Sequence, residues 1–107
     1  MRKFNNSNTF KDLLRKAKRG DDVAQYIVGI SYHNGVGVER DYEKAVYWYT
    51  KSAEQGSAAS QFNLGFCYCN GLGVAKNYEK AIYWYTLAAE QGNAWGQNNL
   101  AVCYVVV

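Results

Sequence analysis

The stretch "YHNGVGVERDYEKAVYWYTKSAEQG" (32–56) returns 36 residues later as "YCNGLGVAKNYEKAIYWYTLAAEQG" (68–92). Aligning 21–56 with 57–92 gives 19 identities in 36 positions, and pairs such as Val36/Leu72, Arg40/Lys76 and Asp41/Asn77 keep their physical type. The register extends both ways. Gly20, Gly56 and Gly92 share it, as do Ala17, Ala53 and Ala89, and Gln97 and Tyr104 repeat Gln61 and Tyr68. Self-similarity at such a period is the mark of a stacked-repeat architecture, in which each unit buries its apolar face only against its neighbours.

Each unit reads as two helices. In the second, Asp41 or Asn77 can cap the N-terminus, and Tyr42, Ala45, Tyr49 and Ala53 follow at helical spacing. Gly56 and Gly92 stand where a helix-ending glycine belongs. The first helix is expected from Asp22 to Asn34, with Ala24, Val28 and Tyr32 spaced by four. Gly29 and Gly65 fall mid-helix, where glycine costs about 1 kcal/mol relative to alanine. That cost, incurred at one place in each unit, predicts close helix approach to a small partner such as Ala45 or Ala81. The fold class expected is all-α: a solenoid of antiparallel helix pairs with about six helices. Residues 1–8 are expected as a disordered tail and 9–19 as a capping helix. Full repeats at 21–56 and 57–92 then precede a partial repeat at 93–107.

The unit quoted from residues 24–56, A-Q-Y-x-x-G-x-x-Y-x-N-G-x-G-V-x-x-D-Y-x-K-A-x-x-W-Y-x-x-x-A-E-Q-G, resembles the Sel-1-like repeat, a relative of the tetratricopeptide repeat with a longer loop inside each unit. The resemblance covers residues 10–107. It implies helix pairs stacked into a right-handed superhelix and a role as an adaptor for protein complexes. Fold alone does not fix function.

The composition suits such a domain. Of 107 residues about half are hydrophobic, proline is absent, and ten tyrosines and three tryptophans raise the aromatic share. No stretch reaches the roughly 20 apolar residues of a membrane span, and no secretory signal follows the start. Cys67, Cys69 and Cys103 are therefore expected as thiols in a reducing cytoplasm. Residues 1–19 carry seven basic residues against one acid, Asp12. Such a cluster can meet nucleic acid or an acidic surface, but a charged outer face is also what a capping helix needs. The cap reading is preferred, and no nucleic-acid partner is expected.

Gly35 and Gly37 suggest a phosphate-cradling loop. A dinucleotide fingerprint would need a preceding strand and a third glycine where Arg40 stands, and the P-loop ending is missing. Gly71 and Gly73 do the same work one unit on, so the glycines are assigned to a turn with left-handed backbone positions. Cys67 and Cys69, two apart on a helix, point in different directions, and one histidine, His33, supplies a zinc site poorly. No cofactor or metal is expected. Cysteine-rich members of the resembled family are linked to β-lactam binding or hydrolysis, and they pair cysteines between the two helices around the inter-unit turn. Those places hold Ala53, Ser60, Ala89 and Gly96 here, and no Ser-x-x-Lys occurs. No catalytic residue is assigned, and the chain is expected not to be an enzyme.

The resemblance to tetratricopeptide repeats implies that the first helices line a concave groove. On that pattern the partner-binding face takes Val23, Tyr26, Ile30, His33 and Asn34 from the first unit. It takes Ala59, Phe62, Phe66, Cys69 and Asn70 from the second, and Trp95, Asn98 and Val102 from the last. These positions vary between units while the framework does not. Tyr26 and Phe62 equally suit packing between neighbouring helices, and the spacing leaves both roles open. The face is apolar-aromatic with amides and holds no lysine or arginine of the kind that clamps a carboxylate. The leading expectation is a non-catalytic adaptor binding a protein or peptide segment there. The alternative is self-association through the C-terminal edge, where Val105, Val106 and Val107 leave an apolar end.

Overall fold

A computed structural model describes residues 6–99, with side chains from Thr9 onward. The chain folds as an all-α solenoid. Five helices, α1 (Asn6–Lys18), α2 (Asp22–Asn34), α3 (Tyr42–Glu54), α4 (Ala58–Asn70) and α5 (Tyr78–Glu90), lead into a sixth that occupies 94–99. The first helix begins at Asn6, so residues 6–8, expected within a disordered tail, are helical. Residues 1–5, and the C-terminal edge from 100 to 107 with its valines and Cys103, lie outside the described residues.

The two units obey the same local rules. Asp41 and Asn77 sit in extended conformation before α3 and α5, and their side chains accept from the backbone N–H of Lys44 at 3.1 Å and Lys80 at 3.0 Å. Asp21 and Ser57 cap α2 and α4 in the same way. At the other end of α2, Gly35 takes φ 71°, a left-handed conformation that a side chain would strain. It and Val36 both donate to the Ser31 carbonyl, at 2.8 and 3.0 Å. The loop then returns so that the Asp41 N–H reaches the Tyr32 carbonyl at 2.8 Å, and Asn77 to Tyr68 repeats this at 2.9 Å. The loop glycines thus close a turn on the helix they follow, which is the role assigned to them from the repeat.

Packing runs between helices consecutive in the chain, from α1 on α2 to α4 on α5, and the molecule extends 51 × 24 × 24 Å. Val28, Ala45, Leu64, Cys67, Ala81 and Tyr85 are fully buried at these contacts. Burying a side chain such as Leu64 contributes roughly 1.5–3 kcal/mol. Gly29 and Gly65 do mark close approaches, but an aromatic ring lies opposite each: Tyr49 against Gly29, and Tyr85, together with the Ala81 carbonyl, against Gly65. A flat ring lies closer to a bare Cα than an alanine methyl would.

The glutamines of the "AEQG" segments join the units. Gln55 donates to the Gly20 carbonyl at 2.9 Å and to Gln25 Oε1 at 2.8 Å, while buried Gln25 donates to the Ala17 carbonyl at 3.0 Å. Gln91, Gly56, Gln61 and Ala53 form the same set one unit later. Each set ties the end of one helix to the next unit through carbonyls at and just beyond a helix C-terminus.

Candidate binding face

The α2 and α4 helices bury Val28, Tyr32 and Leu64 in the core and present other apolar residues on a shared face. Tyr26, Ile30, His33 and Asn34 of α2 meet Phe62 and Phe66 of α4 around a depression of about 300 Å³. A second depression of about 290 Å³ adjoins it, sharing Tyr26, Phe62 and Asn63 and adding Ala59, Asn93 and Trp95. The rings form a continuous stripe. His33 lies 6.4 Å from Phe66, Phe66 lies 6.4 Å from Phe62, and Phe62 lies 6.2 Å from Trp95, centroid to centroid. The rings are tilted to one another, and their separations fall within the range of aromatic contact. Neither depression is lined by an acidic side chain, a lysine or an arginine.

The floor is firm. Tyr26 packs on the buried core of α2 and α3, and Phe62 lies 5.8 Å from the buried ring of Tyr85. Both residues therefore do what the spacing left open, anchoring helices with one edge and lining the groove with the other. Phe66 is 37% exposed and Trp95 67%. Water is in contact with a large apolar surface at both rings.

Tyr49 reaches the groove from α3, and burial pushes its phenol above the ordinary tyrosine range, with the Asn63 amide pulling back the other way. Burial, and then the positive charge of Arg40, lower the His33 pKa below its ordinary 6.5, so the ring is neutral at pH 7. The Nδ1 atom of His33 is buried without a hydrogen-bond partner, and the ring is flanked by Tyr42 at 5.2 Å and Tyr49 at 6.1 Å. Cys67 is fully buried and burial pushes its thiol up to about 12, which leaves almost no reactive thiolate at neutral pH. No disulfide and no metal-holding group of three or more ligand residues forms among the described residues.

Other residues placed on this face from sequence stand apart from the groove. Val23 is exposed at the start of α2 and lines neither depression. Cys69 is half-buried against Ala81 and Tyr85. The Asn70 amide donates back to the Phe66 carbonyl at 3.0 Å within its own helix, and Asn98 is exposed outside both depressions. Val102 lies outside the described residues. Sequence reasoning passed over Asn63, Asn93 and Tyr49. For Asn63 a signal existed: Ile27, Asn63 and Asn99 share one register, and an amide replacing an isoleucine marks a place where water or a partner is met.

Comparison with known proteins gives one family. The Sel1 repeat model matches residues 22–57 and 58–93, about two thirds of the chain. A sel1-like repeat-containing protein of Acanthamoeba polyphaga mimivirus is 46% identical over 37 residues, which span 35% of this chain and 6% of that protein. Among solved structures, a protective antigen of uropathogenic Escherichia coli displaying an SLR fold superposes with a TM-score of 0.90 at 38% identity. It covers 92% of this chain, which spans only 21% of that one. A Sel1 repeat protein from Oxalobacter formigenes gives 0.87 at 36% identity, over 89% of this chain and 28% of its own. Cysteine rich protein B of Helicobacter pylori gives 0.84 at 25%, over 91% and 73%.

Proposed function

We propose that this chain, which belongs to the Sel1 repeat family, is a non-catalytic adaptor that holds an extended apolar peptide segment of a partner protein along the α2–α4 face. The observation that carries the reading is the aromatic stripe from His33 through Phe66 and Phe62 to Trp95, which crosses three successive first helices without a charged partner side chain. Exposed large apolar surface in a concave setting marks a recognition site. The two depressions adjoin, and they suit two anchors of one strand. Asn34, Asn63 and Asn93 stand at their margins, where amides can bond a peptide backbone that has no partner strand of its own.

Selection of a displayed random-peptide library on the purified chain tests this. Enriched peptides should carry two aromatic or large aliphatic residues, and a Phe66→Ala/Trp95→Ala variant of unchanged helicity should lose them. Undiminished binding by that variant would remove the groove from consideration.

A further inference from the structure

A third depression, about 270 Å³, lies where the end of α1 meets α2 and α3, and it shares no residue with the aromatic groove. Its frame is Ala17, Gly20, Gln25, Tyr47 and Trp48, and its charge comes from Lys18, Arg19 and Lys51. The repeat supplies an internal control. One unit on, the frame returns unchanged as Ala53, Gly56, Gln61, Tyr83 and Trp84, whereas the three cations become Glu54, Gln55 and Leu87. The fold therefore needs the frame at both junctions and the cations at neither.

Helix-end electrostatics do not require them either. Cations are favourable in a last turn, yet α5 ends with no basic residue in its last turn and keeps the same glutamine bonds. Acids do not neutralise them: the ion pairs among the described residues are Arg15–Asp12 and Lys44–Asp41. Asp21 is committed to capping α2, and neither Asp22 nor Glu54 pairs with Lys18, Arg19 or Lys51. The Lys51 ammonium stands 5.2 Å from the centroid of the Tyr47 ring, which is 54% exposed. That contact orients the charge without cancelling it.

We infer that the α1–α3 junction is a second binding site, specific for an acidic peptide segment. Its carboxylates pair with Lys18, Arg19 and Lys51, and an apolar side chain lies against Tyr47 and Trp48. Three cations around one depression match two or three carboxylates. A nucleic-acid backbone, with a charge about every 1.7 Å of duplex, calls instead for a continuous basic track. On α1 that track is interrupted where Asp12 holds Arg15 at 3.0 Å.

The test is fluorescence anisotropy with a short fluorescein-labelled Glu- and Asp-rich peptide carrying one phenylalanine. The informative variant is Lys18→Glu/Arg19→Gln/Lys51→Leu, which installs residues that the same frame already accepts one unit away. Circular dichroism checks its fold, and Lys51→Leu alone serves if the triple variant unfolds. The wild-type chain should bind the acidic peptide in preference to a neutral one, and binding should weaken with added salt. The triple variant should bind roughly tenfold more weakly or worse. Phe66→Ala/Trp95→Ala should bind as the wild type does, which separates this site from the groove. Equal binding by the folded cation variant, or no preference over the neutral peptide, overturns the proposal. Tighter binding of oligo-dT of matched charge would reassign the site to nucleic acid and overturn it as well.

Discussion

The Cα of Gly29 lies against the ring of Tyr49, so close that a Cβ built on the glycine would stand 2.6 Å from Tyr49 Cδ1. Gly65 repeats the relationship with Tyr85 at 2.8 Å. Tyr49 is 2% exposed and Tyr85 fully buried, so both rings are held among packed neighbours. The inter-helix spacing of each unit is set by this pair.

Gly29→Ala is therefore expected to destabilise. Alanine recovers about 1 kcal/mol of helix propensity, but overpacking a closed core costs about 1–3 kcal/mol. The net loss should be up to about 2 kcal/mol in urea unfolding. A midpoint at or above that of the wild type would show that the ring can yield.

A hydroxyl chain ties α2, α3 and α4 together. Ser60 Oγ donates to Ser52 Oγ at 2.7 Å, and Ser52 Oγ donates to the Asp22 carbonyl at 2.9 Å. Ser52→Ala leaves the Ser60 hydroxyl without its acceptor and removes the tie to the Asp22 carbonyl, whereas Ser60→Ala removes one donor and leaves Ser52 bonded to Asp22. Ser52→Ala should cost about 1–3 kcal/mol and the Ser60 change less. A double-mutant cycle giving no coupling between them would contradict the chain.

The groove residues differ in how far they serve stability. Trp95→Ala removes a largely exposed ring and Phe66→Ala a partly exposed one, and both should stay within about 1 kcal/mol of wild type. Phe62→Ala loses packing on Tyr85 and should cost about 2 kcal/mol or more. Chemical denaturation of the three variants would order them, and the reverse order would mean that Phe62 is not seated on the core.

His33 makes stability depend on pH with a defined sign. Its folded pKa lies below the ordinary 6.5, first because of burial and then because of Arg40. The neutral ring is favoured in the fold, so its contribution is complete above pH 6.5. It is lost progressively as the pH falls from there through the folded pKa, because the unfolded chain then binds the proton more readily. Thermal unfolding of the wild type should therefore drop below pH 6.5 more than that of His33→Gln. Parallel profiles for the two proteins would show that His33 titrates normally.

The backbone plan was legible in the sequence because its signals are local and occur twice. Asp41 and Asn77 cap the helices they precede, and the loop glycines turn the chain where the repeat placed them. Those are single-residue dihedral and hydrogen-bond preferences, and a second copy removes coincidence. The groove was legible in part. Tyr26, Ile30, His33, Asn34, Phe62, Phe66 and Trp95 could be placed from one helical period, but that projection treats each helix alone. It has no means of showing Tyr49 arriving from α3, or Asn93 and Asn63 at the margins, because those positions depend on how far neighbouring helices stand apart. His33 and Cys69 share one register, yet His33 meets Phe66 across the groove while Cys69 lies beside Ala81 and Tyr85.

By itself, then, the sequence determined the repeat, the helices and their caps, since each rests on contacts within a few residues. The tertiary structure decided that Gly29 faces a tyrosine ring and that the aromatic residues of three helices join into one stripe. It also decided that Lys18 and Arg19 meet Lys51 across α1 and α3. Those outcomes depend on side-chain volume at the helix interfaces, where residues twenty or more positions apart in the chain are brought together.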